Sequence, residues 1–210
     1  MPFKIIDVVK SPIHGSIKVI QNTDSSIYLT SSDVIQSGNL IQKIWKIALS
    51  EINKKSIEIN RILILGVGAG SILTPIIEFW PNTHITGIEI DAVMLELGSK
   101  YFKLDKIKNL NIIQVDVMEW ILKNNKELFD LILVDLYIGS LIPENSNSNI
   151  FLRQLSTLIV NKGVVAFNYL YLYHEDKRIA ERIGARLKEI FPCIDIIYPE
   201  NNIIYICSKK

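Results

Sequence analysis

The stretch Ile62-Leu63-Ile64-Leu65-Gly66-Val67-Gly68-Ala69-Gly70-Ser71 decides the fold. Its apolar run reads as a strand buried on both faces, and a G-x-G-x-G turn follows with no spacer. Glycines there let the backbone turn tightly and let a ligand come closer than any Cβ would permit. The residues after the turn read as a helix, whose first turn offers free N–H groups and a partial positive charge. Alone, such a turn is a weak signal, and its surroundings give it meaning.

From Asn60 onward, strand and helix alternate. Strands are predicted at Arg61–Leu65, His84–Glu89, Leu110–Val115, Phe129–Val134, Gly163–Asn168, Ile194–Tyr198 and Ile203–Cys207. Helices are predicted at Ser71–Phe79, Ala92–Phe102, Val117–Asn124, Asn149–Ile159 and about Glu175–Phe191. This order implies a doubly wound, mostly parallel sheet with helices on both faces. Pro199-Glu200-Asn201-Asn202 is too short for a crossover helix, so the last two strands form an antiparallel hairpin. Upstream, Phe3–Val9, Ser16–Gln21 and Ser25–Thr30 read as a small β meander, followed by a helix over Asn39–Asn53. The expected architecture is α/β and Rossmann-like, with a β-rich appendage at 1–35 and the main domain at 36–210. The polar run Glu144 to Asn149 reads as a mobile lid.

Composition bounds the function. The chain has 210 residues, 49% hydrophobic and 21% charged, enough for one well-filled core and unlike a disordered segment. Lys plus Arg is 23 against 22 for Asp plus Glu, so no basic excess points to nucleic acid. Mean hydropathy is high at +0.25, yet the greasiest stretch, Ile62 to Trp80, is broken by Gly66, Gly68, Gly70, Pro75 and Glu78 and does not read as a membrane span. The start, Met1-Pro2-Phe3-Lys4, lacks the layout of a signal peptide. Cys193 and Cys207 have no metal-ligand spacing and read as buried thiols of a reducing compartment, so a cytoplasmic location is expected.

Carboxylates stand at the strand ends beside the glycine turn. The second strand ends in Gly87-Ile88-Glu89-Ile90-Asp91, where an acid is placed to accept from both hydroxyls of a ribose. The third ends in Gln114-Val115-Asp116, positioned for an exocyclic adenine amine. The fourth ends in Val134-Asp135-Leu136. In open parallel sheets, ligands bind at these carboxyl ends. Any one of these acids alone reads as a helix cap or a solvated loop residue. Together with the glycines they read as a nucleoside site. His14, His84 and His174 read as surface residues, and no cluster has metal-ligand spacing.

In these motifs and in the terminal hairpin, the sequence resembles class I S-adenosylmethionine-dependent methyltransferases. Within that group, Gly87-Ile88-Glu89-Ile90-Asp91, Lys100-Tyr101-Phe102, the strand Phe129 to Leu136 and the β-rich start resemble spermidine synthases, the polyamine aminopropyltransferases. Val34-Ile35-Gln36 is similar to that family's D-G-V-x-Q stretch. The resemblance implies S-adenosylmethionine or its decarboxylated form as cofactor. Gly66, Gly68, Gly70, Glu89, Asp116 and Gln36 would hold it, and Asp135 would be the catalytic acid that orients and deprotonates an amine. It also implies pairing of two copies through the N-terminal strands.

Two departures from the family stand out. Ala69 replaces the aspartate of G-G-G-D-G, and Ile138 replaces the second aspartate of D-x-x-D-P. Each loss removes a charge-assisted contact to a cationic ligand, worth roughly 1.5–3 kcal/mol. The expected function is therefore methyl transfer to a small-molecule acceptor, with Tyr137 and Tyr169 as candidate substrate-binding residues. Aminopropyl transfer, with Glu144 as a substitute grip, and a non-catalytic nucleoside-binding module are the competing readings.

Overall fold

The computed structural model of the chain describes residues 3–123 and 127–209, the side chain of Glu144 excepted. Two sheets carry the fold. Strands β1 (Phe3–Ser11), β2 (Gly15–Asn22), β3 (Ile27–Ser31) and β4 (Val34–Ser37) form an antiparallel sheet in that order. Helix α1 (Asn39–Asn53) leads into the main domain, built from β5 (Arg61–Leu65), α2 (Leu73–Phe79), β6 (His84–Glu89), α3 (Ala92–Phe102), β7 (Leu110–Gln114), α4 (Val117–Lys123), β8 (Phe129–Val134), α5 (Asn149–Leu158), β9 (Ile159–Leu170), α6 (His174–Lys188), β10 (Cys193–Ile197) and β11 (Asn202–Ser208). The large sheet runs β10-β11-β9-β8-β5-β6-β7. Strands β9, β8, β5, β6 and β7 are parallel, and β11 is antiparallel to both β9 and β10.

The period-two pattern of the central strands explains the layers. Ile62 and Ile64 of β5, Leu131 and Leu133 of β8, and Val164 and Ala166 of β9 enter one core with α1 and α2. Leu63, Leu65, Ile132, Val134, Val165 and Phe167 enter the opposite core with α4, α5 and α6. Strands buried on both faces must read as continuous apolar runs, and these do. A third cluster joins Ile17, Val19 and Leu29 of the small sheet to Ala69, Met94 and Leu97, so the small sheet packs onto the glycine turn and α3.

Several details differ from the sequence reading. β4 is a strand that the alternation did not reveal, and the small sheet runs to Ser37, past the expected boundary at 35. β9 begins at Ile159, where it pairs with Phe129 before a register shift. The expected end of α4 at Asn124 lies outside the described residues. The segment read as a mobile lid forms a short 3-10 turn over Glu144–Asn147, with Ser146 buried and Arg186 Nη1 donating to the Asn147 carbonyl over 2.8 Å. Cys207 is buried, but Cys193 is exposed, because β10 is an edge strand with one face toward solvent.

Candidate functional site

The carboxyl ends of β5, β6, β7, β8 and β9 open into a cleft of about 670 Å³, roofed by the small sheet and the start of α1. Its position follows from the topology. The chain leaves β5 toward β6 on one side and enters β8 from the other, and loops diverging at that switch leave a crevice.

The glycine turn forms the floor. Gly66 has φ +89, and a Cβ there would overlap the carbonyl oxygen of Asp135, so only glycine lets β5 and β8 end side by side. Gly68 N–H donates to Glu89 Oε2 over 2.7 Å. Gly70 is turned toward Leu104 and does not line the cleft, so its role here is packing. Ala69 is fully buried in the seam with the small sheet and also lies off the cleft lining. The departure at Ala69 is thus filled by core packing, and the lost acid leaves no gap in the cleft wall.

Glu89 is 5% exposed, and its second oxygen accepts from Asp91 N–H over 2.9 Å. Burial lifts its carboxyl above the usual range, while the two backbone donors pull the other way. Asp116 is exposed at the rim. Its Oδ1 caps α4 by accepting from the N–H groups of Met118 (2.8 Å) and Glu119 (3.1 Å). Its Oδ2 has no protein donor among the described residues. The cap and the ligand reading are thus compatible on one side chain.

Asp135 lies deeper. Trp45 Nε1 donates to its Oδ2 over 2.8 Å, and Asn168 Nδ2 donates to its Oδ1 over 2.8 Å. Asn202 Nδ2 in turn donates to Asn168 Oδ1, also over 2.8 Å. Desolvation raises the Asp135 carboxyl, and these two donors offset part of the rise. A carboxylate has about four lone-pair directions, so each oxygen keeps capacity for a substrate proton.

The remaining expected residues divide. Gln36 lines the cleft, and its Nε2 donates to the Gly139 carbonyl over 3.0 Å, joining the small sheet to the loop after β8. Tyr137 lines the cleft too, but its hydroxyl accepts from Leu170 N–H over 2.6 Å, so the phenol anchors its loop to β9. Tyr169 is a correction. In register with Val165 and Phe167, it enters the opposite core and is 3% exposed, with its hydroxyl toward Asn147 Oδ1 at 3.3 Å. His14 is a second correction, being buried against Asp91 at 2.7 Å.

Sequence reasoning missed Trp45, Asn168, Asn202 and His14. Asn168 carried a usable signal, a polar residue at the carboxyl end of a buried strand. Trp45 carried none, because an indole on an apolar helix face reads as core.

One wall of the cleft is apolar, formed by Leu40, Ile138, Leu170 and Leu172. Three described acids at its edge have partners. Asp33 pairs with Lys18, Glu200 with Lys43, and Asp176 accepts from Tyr173 N–H at the start of α6. Among the described residues no group of three or more His, Cys, Asp and Glu is arranged for a metal ion, and no helix is long and apolar enough to cross a membrane.

A family model described as a methyltransferase domain matches residues 59–195, the segment from the strand before the glycine turn to β10. The chain belongs to the methyltransferase domain family. Relatives of this methyltransferase-domain protein include the polyamine aminopropyltransferase of Vibrio vulnificus, 33% identical over 52% of this chain and 37% of that one. Another is the eEF1A lysine and N-terminal methyltransferase homolog of Drosophila melanogaster, 27% identical over 75% of this chain and 24% of that one. The chain therefore spans about a third and a quarter of those relatives' lengths. Among solved structures, a probable spermidine synthase from Corynebacterium glutamicum superposes with TM-score 0.83 at 18% identity, over 98% of this chain and 80% of that one. Human methyltransferase-like protein 13 in complex with SAH gives 0.64 at 22% identity, over 81% and 82%. The methyltransferase-domain chain thus has a spermidine synthase-like version of the S-adenosylmethionine-dependent methyltransferase fold.

Proposed function

We propose that the protein transfers a methyl group from S-adenosylmethionine to a small acceptor bearing a single amine, with Asp135 as the group that orients and deprotonates that amine. The observation that carries this reading is the acceptor wall. It is apolar at Ile138, Leu40 and Leu172, and among the described side chains at its edge the acids Asp33 and Glu200 are each paired with a lysine. A diamine would need an unpaired acid there for its distant ammonium.

The cleft fits a nucleoside. Glu89 faces it with a carboxylate held by two backbone amides, and Asp116 keeps one oxygen free for an exocyclic amine. Ile90, Val117 and Met118 supply apolar surface for a base between them. When bound, the sulfonium supplies an activated methyl carbon, so the protein's work is chiefly in-line positioning. Asp135 contributes a base whose carboxyl is shifted upward by burial, closer to the proton affinity of the amine it relieves. Trp45 and Asn168 fix that carboxylate in one orientation before the acceptor arrives.

Aminopropyl transfer is the second reading. It is supported by the Vibrio vulnificus relative and by the absence of Lys and Arg from the described cleft lining, which suits a cationic cofactor. Calorimetric titration with S-adenosylmethionine and with its decarboxylated form separates the two. Tighter binding of the carboxylated cofactor, with methyl transfer to a monoamine, supports the first. Preference for the decarboxylated form, with turnover on a diamine, replaces it with the second.

The same reading includes pairing of two copies along β1, an edge strand with Phe3, Ile5 and Val8 exposed, checked by sedimentation. A cytoplasmic location is also part of it, supported by two free thiols on adjacent strands.

A further inference from the structure

The N-terminal hairpin reaches the cleft through a buried histidine. His14 lies in the turn between β1 and β2 and is 9% exposed. Its Nδ1 lies 2.7 Å from Asp91 Oδ2, and its Nε2 lies 3.2 Å from the backbone oxygen of Tyr137. Both partners are acceptors. A neutral imidazole has one N–H and one lone pair, so it would set that lone pair against one of these oxygens. The doubly protonated ring donates to both. Asp91 is an acceptor from its other neighbours as well, taking Ser11 Oγ–H on Oδ2 and Val93 N–H on Oδ1.

These bonds continue into the nucleoside side. Asp91 N–H donates to Glu89 Oε1, and Glu89 Oε2 accepts from Gly68 N–H. One ring therefore joins the hairpin turn, the Glu89-Ile90-Asp91 corner and the loop after β8. Among the described residues lining the cleft, His14 is also the one basic side chain.

We propose that His14 is a positioning residue for the nucleoside site: clasped between Asp91 and the Tyr137 carbonyl, it holds the Glu89-Ile90-Asp91 corner in its binding geometry and sets a basic side chain beside Glu89. The proposal rests on the nucleoside reading of the cleft. Burial works against the ionised form of Glu89, and the charge of His14 is among the influences that favour it. The titratable groups facing the ring are Asp91 at the head of α3 and Glu89 behind it at the end of β6. From β3, the Ser31 hydroxyl donates to the His14 carbonyl, and the phenol of Tyr137 is turned away to Leu170. Asp91 and Glu89 thus set the charge environment of the ring.

The test is the affinity of the full chain for S-adenosylhomocysteine, measured by calorimetry from about pH 5 to pH 9, for wild type and His14→Gln. His14→Gln should bind roughly tenfold more weakly near neutrality, having lost the clasp on Asp91 and Tyr137. Its acid-side loss, set by Glu89, should begin at higher pH. A folded His14→Gln protein whose acid limb is unmoved overturns the proposal, since a merely structural role would lower the melting temperature and leave the shape of the profile alone. Binding of neither S-adenosylhomocysteine nor methylthioadenosine at any pH would remove the nucleoside reading and this proposal together. Binding with an unchanging profile would remove the proposal alone.

Discussion

The indole N–H of Trp45 donates to Oδ2 of Asp135 over 2.8 Å, tying the first helix to the end of β8. The indole is fully buried, so the bond is shielded from water, and it helps hold down a carboxyl that burial pushes up. Trp45→Phe keeps most of the buried ring and removes the donor. It should cost about 1–3 kcal/mol of stability, read by chemical denaturation. In the proposed mechanism Asp135 acts as the ionised carboxylate, so activity should be present above the native value and lost as pH falls through it. Losing a donor that stabilises the anion raises that value further. The acid limb of kcat/KM should therefore move to higher pH. Asp135→Asn should lower kcat by roughly a hundred- to a thousandfold while leaving nucleoside affinity unchanged.

Glu89 gives affinity and stability opposite responses to acid. Its carboxyl is raised by burial, so ligand binding that uses the anion weakens as pH falls through a value above the usual carboxylate range. For folding alone the sign reverses. A carboxyl that holds its proton more tightly in the native state stabilises that state as pH falls, from its lifted native value down to about 4 in the unfolded chain. Asp135 acts in the same direction. Between those limits the apoprotein should gain thermal stability on acidification while nucleoside affinity drops. Glu89→Ala should abolish the affinity and leave the protein folded, shown by circular dichroism beside calorimetry.

Gly66→Ala tests the close approach of β5 and β8. The backbone lies at φ +89, and a methyl group would overlap the Asp135 carbonyl oxygen. Conformational strain and overpacking together should cost about 2–4 kcal/mol. The variant should melt well below wild type. An unchanged melting temperature would mean that the two strand ends separate more easily than their packing indicates.

Ile138→Asp tests the acceptor wall. Ile138 is 39% exposed, so the substitution has little cost to the core. It adds an acid to an apolar wall, and it should strengthen binding of putrescine by roughly tenfold through one charge-assisted contact. Competition between putrescine and a monoamine in the nucleoside-loaded protein reads the shift. Equal response to both amines would place the acceptor elsewhere in the cleft.

Local sequence rules were enough for the central strands β5, β8 and β9 because they are buried on both faces. Ile62 to Leu65 has no polar face to hide, and the glycines that follow admit few alternatives to a tight turn into a helix. β4 escaped because Val34–Ser37 is short and takes its definition from pairing with β3. Tyr169 was misplaced for a different reason. A residue at the end of a strand can face either side, and its parity with Val165 and Phe167 sends it to the core opposite Asp135.

By itself, the sequence determined what local chemistry controls: the alternation of strands and helices, the glycine turn, and the acids Glu89, Asp116 and Asp135 at the strand ends. Those features depend on spacing along the chain, which a sequence displays directly. Only the tertiary structure decided how those acids are held. Asp135 lies 90 residues from Trp45, and Asp91 lies 77 from His14, yet each pair shares a hydrogen bond. Desolvation and hydrogen bonding, which set the properties of these carboxylates, arise from neighbours gathered by packing, and no periodicity in the chain encodes that gathering.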